Sequence, residues 1–417
     1  MTYLRRSIDT ELDELLPYLP AIALDGPKGV GKTETAARRV SKVLNLDDDF
    51  TRTLLHNDFN LDAYSEESLL FDEWQHFPRI WDIVRRKVDS KAPAGSYLLT
   101  GSATPYDTQG SHSGAGRIVS LRMRPMGLHE RSGSSPSISF TQLLNGEGIA
   151  LPKSPSPLNV QDYAHAIVAS GFPGITGLPP RVRRQQLDSY LHRVIDRDIP
   201  DIGAKVRHPE SLRRWLAAYA AAESTTTSYS KLLNAAVGPE GTQPSATTTR
   251  TYREHLSKLW LLDPVPGWVP ANNQFKRLQQ APKHHLADPA LSAHLLQVDE
   301  NSLMSETGSH LFGPLFEALV TLTVRVIAQT VEAKVSHLRL DSGTREVDLL
   351  VERHDGKLIA IEVKLKGNPT DKDVRHLNWL KEELPDRVVN SVVITAGQGA
   401  YRRADGIYVI PLAMLGQ

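Results

Sequence analysis

Residues 21–33 read AIALDGPKGVGKT, and the fold is decided there. An apolar run, Ala21 to Leu24, leads into a Gly-rich turn, and the stretch that follows, TETAARRVSKVL, is helical in character. Strand, loop and helix are the context that makes Gly26-x4-Gly31-Lys32-Thr33 a phosphate-binding loop. It comprises Gly26, Pro27, Lys28, Gly29, Val30, Gly31, Lys32 and Thr33. Its glycines let backbone N–H groups curl around phosphate oxygens, while the helix presents its positive end. Lys32 is placed to reach the β- and γ-phosphates, and the Thr33 hydroxyl to ligate Mg²⁺. ATP and Mg²⁺ are the ligands this pattern predicts.

Downstream, LLFDEWQH (69–76) is an apolar strand ending in Asp72-Glu73, followed by a helix over 73–87. An acidic pair at a strand tip sets one carboxylate, Asp72, beside Mg²⁺ and the next, Glu73, beside an attacking water. The plainer alternative is two solvated acids opening a helix. A third strand, SYLLTGSATP (96–105), brings Thr100 and Ser102 toward the γ-phosphate. Three apolar strands separated by helices describe a parallel α/β sheet with its ligand at the strands' carboxyl ends.

GPKGVGKT, FDEWQHFPRIWDIVRRKVD, YLLTGSATP and GRIVSLRMRPMGLHE together resemble the AAA-type ATPases. More narrowly, they resemble a bacterial and archaeal group whose C-terminal half carries a restriction-endonuclease-like domain. The resemblance implies that Ser102 or Thr100 takes the first sensor position. It also implies a ring or hexamer of identical chains, with an arginine reaching a neighbour's nucleotide; Arg117, Arg122 and Arg124 are the candidates. It makes the helical stretch 159–224 a lid, with Arg184 a possible nucleotide sensor.

The expected architecture is α/β with four parts: a P-loop ATPase core over 1–158, the lid over 159–224, a winged-helix-like module over 225–300 and an endonuclease-like domain over 301–417. In the third part, TTTSYSKLLNAAVG and SATTTRTYREHLSKLWLLD read as two helices, and PVPGWVP as a wing. The second helix would read a DNA groove through Thr248, Thr249, Arg250 and Arg253, with Lys258 further along. From Arg181 to Lys258 there are 13 Lys/Arg against 8 Asp/Glu, a local excess of positive charge that suits DNA. A wing used only for packing is the alternative. Gly/Ser/Pro-rich stretches at 105–116, 131–137 and 148–158 read as mobile loops.

The C-terminal stretch HLFGPLFEALVTLTVRVIAQT (310–330) is an amphipathic helix carrying Glu317. REVDLLVE and LIAIEVKL follow as strands joined by the turn HDGK. Asp348 lies on the first strand; Glu362 and Lys364 share one face of the second by period-two geometry. Two acids and a lysine converging there suit metal-assisted phosphodiester hydrolysis. The pattern resembles the restriction-endonuclease and archaeal Holliday-junction-resolvase superfamily, with Val347 where a proline usually precedes the aspartate. Carried over, Glu317 is the helical acid, Asp348 the hairpin acid, Glu362 the second metal ligand and Lys364 the catalytic lysine. His284-His285 reads as structural, because consecutive side chains on an extended chain diverge.

Composition bounds what remains. The 417 residues include no cysteine, excluding thiolate metal sites and a cysteine nucleophile, and Lys plus Arg equals Asp plus Glu at 48 each. Any nucleic-acid grip must therefore be local. No signal-like N-terminal core and no apolar run of about 20 residues is evident, which points to the cytoplasm and no membrane. The sequence thus predicts an ATP-hydrolysing motor on duplex or branched DNA. An ATP-gated endonuclease and a nucleotide-dependent protein-binding switch are its alternatives.

Overall fold

Strand β1 (Ala21–Asp25) is buried along four of its five residues, as a strand covered on both faces must be. It is flanked by β4 (Tyr97–Gly101) and β5 (Val119–Arg122), while β2 (Lys42–Asn45) and β3 (Leu69–Asp72) extend the sheet beyond β4. All four pairings are parallel, in the order β2-β3-β4-β1-β5. Helices Lys32–Ala37 and Arg79–Asp89 connect its strands. The expected helix over 73–87 starts later: Glu73 takes a left-handed conformation (φ 53°), Trp74–His76 form a single 3-10 turn, and the α-helix begins at Arg79. Pro78 sets that start, fixing the entry geometry of the first turn.

The computed structural model describes residues 3–58, 60–103, 115–131, 133–201, 203, 206, 208–237, 244–269, 281–340 and 343–417. Most of the loop expected at 105–116 lies outside them. The other two loops are described, apart from residue 132. Ser134 Oγ donates to Leu128 O, and the Ser156 amide donates to Gln398 O, so both are tied down rather than free.

Helices Val160–Ala169, Pro180–Arg193 and Pro209–Ala221 occupy the expected lid stretch. They do not act as one unit. Leu187, Leu191, Leu212, Trp215 and Leu216 join the core of the ATPase sheet and the middle helices, whereas Tyr163, Ala164 and Ile167 join the C-terminal core. Segment 138–144 goes with the latter: β6 (Ile138–Ser139) pairs in parallel with β13 (Leu415–Gly416) at the far end of the chain. A boundary at 158 therefore splits a packing unit.

The middle module has the expected two helices, Tyr229–Ala235 and Ala246–Lys258, each opened by a serine whose hydroxyl accepts from a first-turn amide. The wing is two isolated antiparallel bridges, Leu262 with Leu286 and Val265 with Lys283. It also continues into the C-terminal sheet, where Gly267 bridges His337.

That sheet contains β7 (Lys334–Leu340), β8 (Arg345–Glu352), β9 (Leu358–Lys364), β10 (Val388–Thr395), β11 (Tyr401–Arg402) and β12 (Tyr408–Pro411). Its order is β11-β12-β10-β9-β8-β7, with a predicted hairpin at β8-β9 and parallel pairing of β9, β10 and β12. Helix Ser309–Gln329 covers one face and Asp371–Glu383 the other. At 21 residues the first is long and apolar enough to span a bilayer, contrary to the expectation, but 72% of its most apolar window is buried within the protein. It is a core helix.

Candidate functional site

The phosphate loop is built as the motif requires. Gly29 and Gly31 have φ of 84° and 100°, a region that L side chains rarely occupy. A Cβ on Gly26 would lie 2.1 Å from Met123 O, so any side chain there would collide with the backbone after β5. Lys32 is 5% exposed and donates to the loop's own Gly26 and Pro27 carbonyls at 2.9 and 3.0 Å. Burial lowers its pKa to about 8, outweighing the nearby charges of Glu73, Asp25 and Asp72. Asp25, at the tip of β1, is pushed up to about 6 by burial.

Asp72 and Glu73 face different partners. Asp72 Oδ1 accepts the Thr33 hydroxyl at 2.7 Å and also that of Thr100. Glu73 Oε2 accepts the Ser102 hydroxyl at 2.7 Å and the Gln75 amide, which itself lies 3.1 Å from Ser102 Oγ. The left-handed turn at Glu73 separates the two carboxylates. Thr33 and Asp72 set two hard oxygens side by side, a donor set that fits Mg²⁺.

Two large hollows adjoin the loop. One, of about 860 Å³, is lined by Tyr3, Leu4, Val30, Gly31, Thr35 and Pro173, with an apolar character and size that suit a nucleoside. The other, of about 460 Å³, lies between Lys28 and the second lid helix. Across it Lys28 Nζ meets Asp198 Oδ1 at 3.3 Å. Arg193 and Arg197 line it; Arg184 does not. Sequence reasoning did not single out Arg193 and Arg197, which share this hollow with Lys28 and Gly29, because helical phase alone does not say which face meets the loop.

The candidate trans-acting arginines are engaged within the chain. Arg122 and Arg124 contact the buried Asp263 at 2.9 and 2.8 Å, where Arg325 also meets it at 3.0 Å. Burial disfavours the Asp263 charge, but the three guanidiniums hold its carboxyl far below the usual range. These two arginines join the ATPase sheet to the middle module and are not presented to a neighbour. Arg117 is half exposed and pairs with Asp89 at 2.9 Å.

The proposed groove-reading helix is similarly corrected. Thr249 is buried and its hydroxyl donates to Ala246 O; Arg253 lies 3.8 Å over the Tyr229 ring. Thr248 lies within hydrogen-bond reach of the capping Ser245. Arg250 remains on an exposed face, paired with Glu254 one turn on.

In the C-terminal module the structure brings Glu317, Asp348, Glu362 and Lys364 together, as expected. Lys364 Nζ lies 2.7 Å from Glu362 Oε1 and 3.9 Å from Asp348 Oδ2, which accepts the Val363 amide at 2.9 Å. A fifth group was not anticipated. Lys283, from the wing, reaches into the cluster with a side chain 1% exposed. Its Nζ lies 2.7 Å from Glu317 Oε1, 3.2 Å from Asp348 Oδ1 and 3.8 Å from Glu346 Oε1. Burial opposes its charge, but Glu317 and Asp348 hold its pKa above the ordinary lysine value. Burial pushes Glu317 and Glu362 up to about 8. Among the described residues no group of three or more His, Cys, Asp or Glu is arranged to hold a metal ion. The donor set does not fit Mg²⁺: an ammonium stands between the two acids that should chelate it. The neighbouring histidines are structural as read, His284 Nε2 lying 2.7 Å from Thr227 O and His285 Nδ1 2.9 Å from Glu223.

Comparison with known proteins finds three family models along the chain. Residues 19–132 match the family described as AAA domain, residues 160–302 a domain of unknown function (DUF8612) and residues 312–415 another (DUF4143). The chain therefore carries an N-terminal AAA-type P-loop domain. It is 22% identical to an uncharacterized protein of Mycobacterium bovis and to one of Mycobacterium tuberculosis, each alignment covering 98% of this chain and 83% of the relative. A replication initiator DnaA bound to AMPPCP and single-stranded DNA is 17% identical, covering 60% of this chain and 88% of that one, with a TM-score of 0.22. An overlap that shallow carries no functional inference.

Proposed function

We propose that this chain is a Mg²⁺-dependent ATPase with its reaction centre at Lys32, Thr33, Asp72 and Glu73. The observation that carries this is the separation of the two acids: Asp72 shares the Thr33 hydroxyl while Glu73 is held apart by Ser102 and Gln75. Mg²⁺, when bound with nucleotide, supplies charge neutralisation across the β- and γ-phosphates. On binding, Lys32 exchanges its loop carbonyls for phosphate oxygens. Glu73 accepts the proton of the attacking water, with Ser102 and Gln75 fixing its carboxylate. Arg193 and Arg197 sense the γ-phosphate from the hollow that they share with Lys28, whose ammonium pairs with Asp198. The test is steady-state hydrolysis in the intact chain: Glu73→Gln must keep nucleotide binding and lose turnover. Full turnover in that variant would overturn the assignment of the base.

The finer reading is a ring-shaped motor on duplex or branched DNA. Its support is the exposed Arg250 face of helix Ala246–Lys258, together with exposed Val43 on edge strand β2 and exposed Phe50 and Leu54 on the following helix Asp49–Asn57, apolar surface suited to a neighbouring subunit. A nucleotide-dependent protein-binding switch is favoured instead by the internal engagement of Thr249, Arg253, Arg122 and Arg124. Hydrolysis measured with duplex, single-stranded and four-way-junction DNA at equal salt separates them. Several-fold stimulation by one form establishes the motor; no response to any form establishes the switch.

A further inference from the structure

The C-terminal carboxylates have the right identities for a metal site and the wrong occupant. We propose that Lys283 is the resident cation of this cluster: the wing supplies its ammonium where a divalent ion would bind, closing the endonuclease-like site and clamping the middle module to the C-terminal sheet.

Geometry carries the assignment. Nζ of Lys283 bridges Glu317 from the core helix and Asp348 from β8, at 2.7 and 3.2 Å. Those are the two elements from which the endonuclease resemblance draws its first two acids. Nothing about this lysine is loose. Its backbone makes both hydrogen bonds with Val265, each 2.9 Å, and the next residue exchanges backbone bonds with the 224–225 segment. The wing is then stitched to edge strand β7 by Trp268 N to His337 O and His337 N to Pro266 O, and His337 Nε2 lies 3.1 Å from Ala281 O. The lysine therefore enters the cluster from a braced support. A tethered ammonium has a high effective concentration, so free Mg²⁺ must displace a neighbour that cannot diffuse away.

Glu362 is buried, and among the described residues its Oε2 has no hydrogen-bond partner, while Oε1 takes Lys364. Asp348 spends one oxygen on Lys283 and the other on the Val363 amide. Removing the ammonium frees Glu317 Oε1 and Asp348 Oδ1, the two hard oxygens that it now bridges. The inference is independent of the ATPase reading, and its readouts use no nucleotide.

The test is Mn²⁺ binding to the full chain without nucleotide, followed by electron paramagnetic resonance and calorimetry. Wild type is expected to show no saturable binding at this cluster. Lys283→Met, which keeps most of the apolar stem without the charge, is expected to gain about one site, lost again in Lys283→Met/Asp348→Asn. Two results overturn the proposal: a saturable wild-type site that Asp348→Asn abolishes, or a folded Lys283→Met chain that binds no Mn²⁺. Should Lys283→Met fail to fold, amine acetylation of the native wild-type chain, read by mass spectrometry, decides. Lys283 is expected to react at least 10-fold more slowly than an exposed lysine such as Lys231. Equal reactivity refutes burial in the cluster. Wild-type DNA cleavage with Mg²⁺ or Mn²⁺ that depends on Asp348 also refutes it.

Discussion

The nucleotide site and the C-terminal cluster are made of the same residue types: acids carried on strands, a buried lysine and hydrogen bonds that orient them. They differ in what the lysine touches. Among the described residues Lys32 donates its hydrogen bonds to carbonyls of its own loop, which a phosphate can replace, and burial lowers its pKa to about 8. Lys283 is satisfied by carboxylates, and its pKa is held above the ordinary value. One cation is poised for an incoming anion, whereas the other has already found its anions inside the chain. Residue type alone therefore does not separate a reactive site from a clamp.

The largest contrast is expected in activity. Lys32→Ala removes the charge that meets the β- and γ-phosphates and lowers ATP hydrolysis by about 10³-fold, with little change in unfolding midpoint. A large loss of stability would place Lys32 with Lys283 as a structural cation and break the comparison. Glu73→Gln lowers turnover by about 10²-fold or more while nucleotide still binds, the usual effect of removing a general base; rapid-quench and equilibrium binding measurements check both halves.

Stability should show the reverse. Lys283→Ala leaves buried carboxylates without their partner and costs about 3–5 kcal/mol, seen as a lower denaturant midpoint. Lys364→Ala costs less, because that side chain is 27% exposed. Equal costs would mean that the cluster is centred on Lys364.

Acid sharpens the same point. Burial holds the His337 pKa down at about 4, aided by the charge of Lys283. The unfolded chain protonates this histidine near its ordinary value of about 6.5. Between those values the unfolded state binds more protons, so stability falls as pH drops from about 6.5 to about 4. His337→Gln should flatten that slope, as followed by urea midpoints across the range. The smallest effect belongs to Arg250→Ala. On an exposed face with a surface ion pair, it should change stability by less than about 0.5 kcal/mol and register only as reduced stimulation of hydrolysis by DNA.

Much of the nucleotide site was legible because its residues are close in sequence and its chemistry is local. Gly26, Gly31, Lys32 and Thr33 lie within one turn of chain, and each apolar strand announces its neighbour's chemistry at its tip. Glu317, Asp348, Glu362 and Lys364 were legible for a similar reason, through hairpin register and helix phase. Arg122, Arg124, Thr249 and Arg253 were misread as outward-facing, since strand and helix periodicity give a face without saying what covers it. Asp263, which neutralises both arginines, stands about 140 residues away in a segment read only as a wing.

Lys283 is the clearest case. In APKHHLADPAL the histidines draw the eye and the lysine carries no spacing relation to Glu317 or Asp348. By itself, the sequence determined the P-loop sheet, the acidic pair, the β8-β9 hairpin and the identities of the C-terminal acids, because each depends on short-range pattern and backbone chemistry. Only the tertiary structure decided which cation those acids hold. That choice rests on burial and on a contact between elements far apart in the chain, where Coulomb attraction in a dry interior is strong and sequence periodicity is silent.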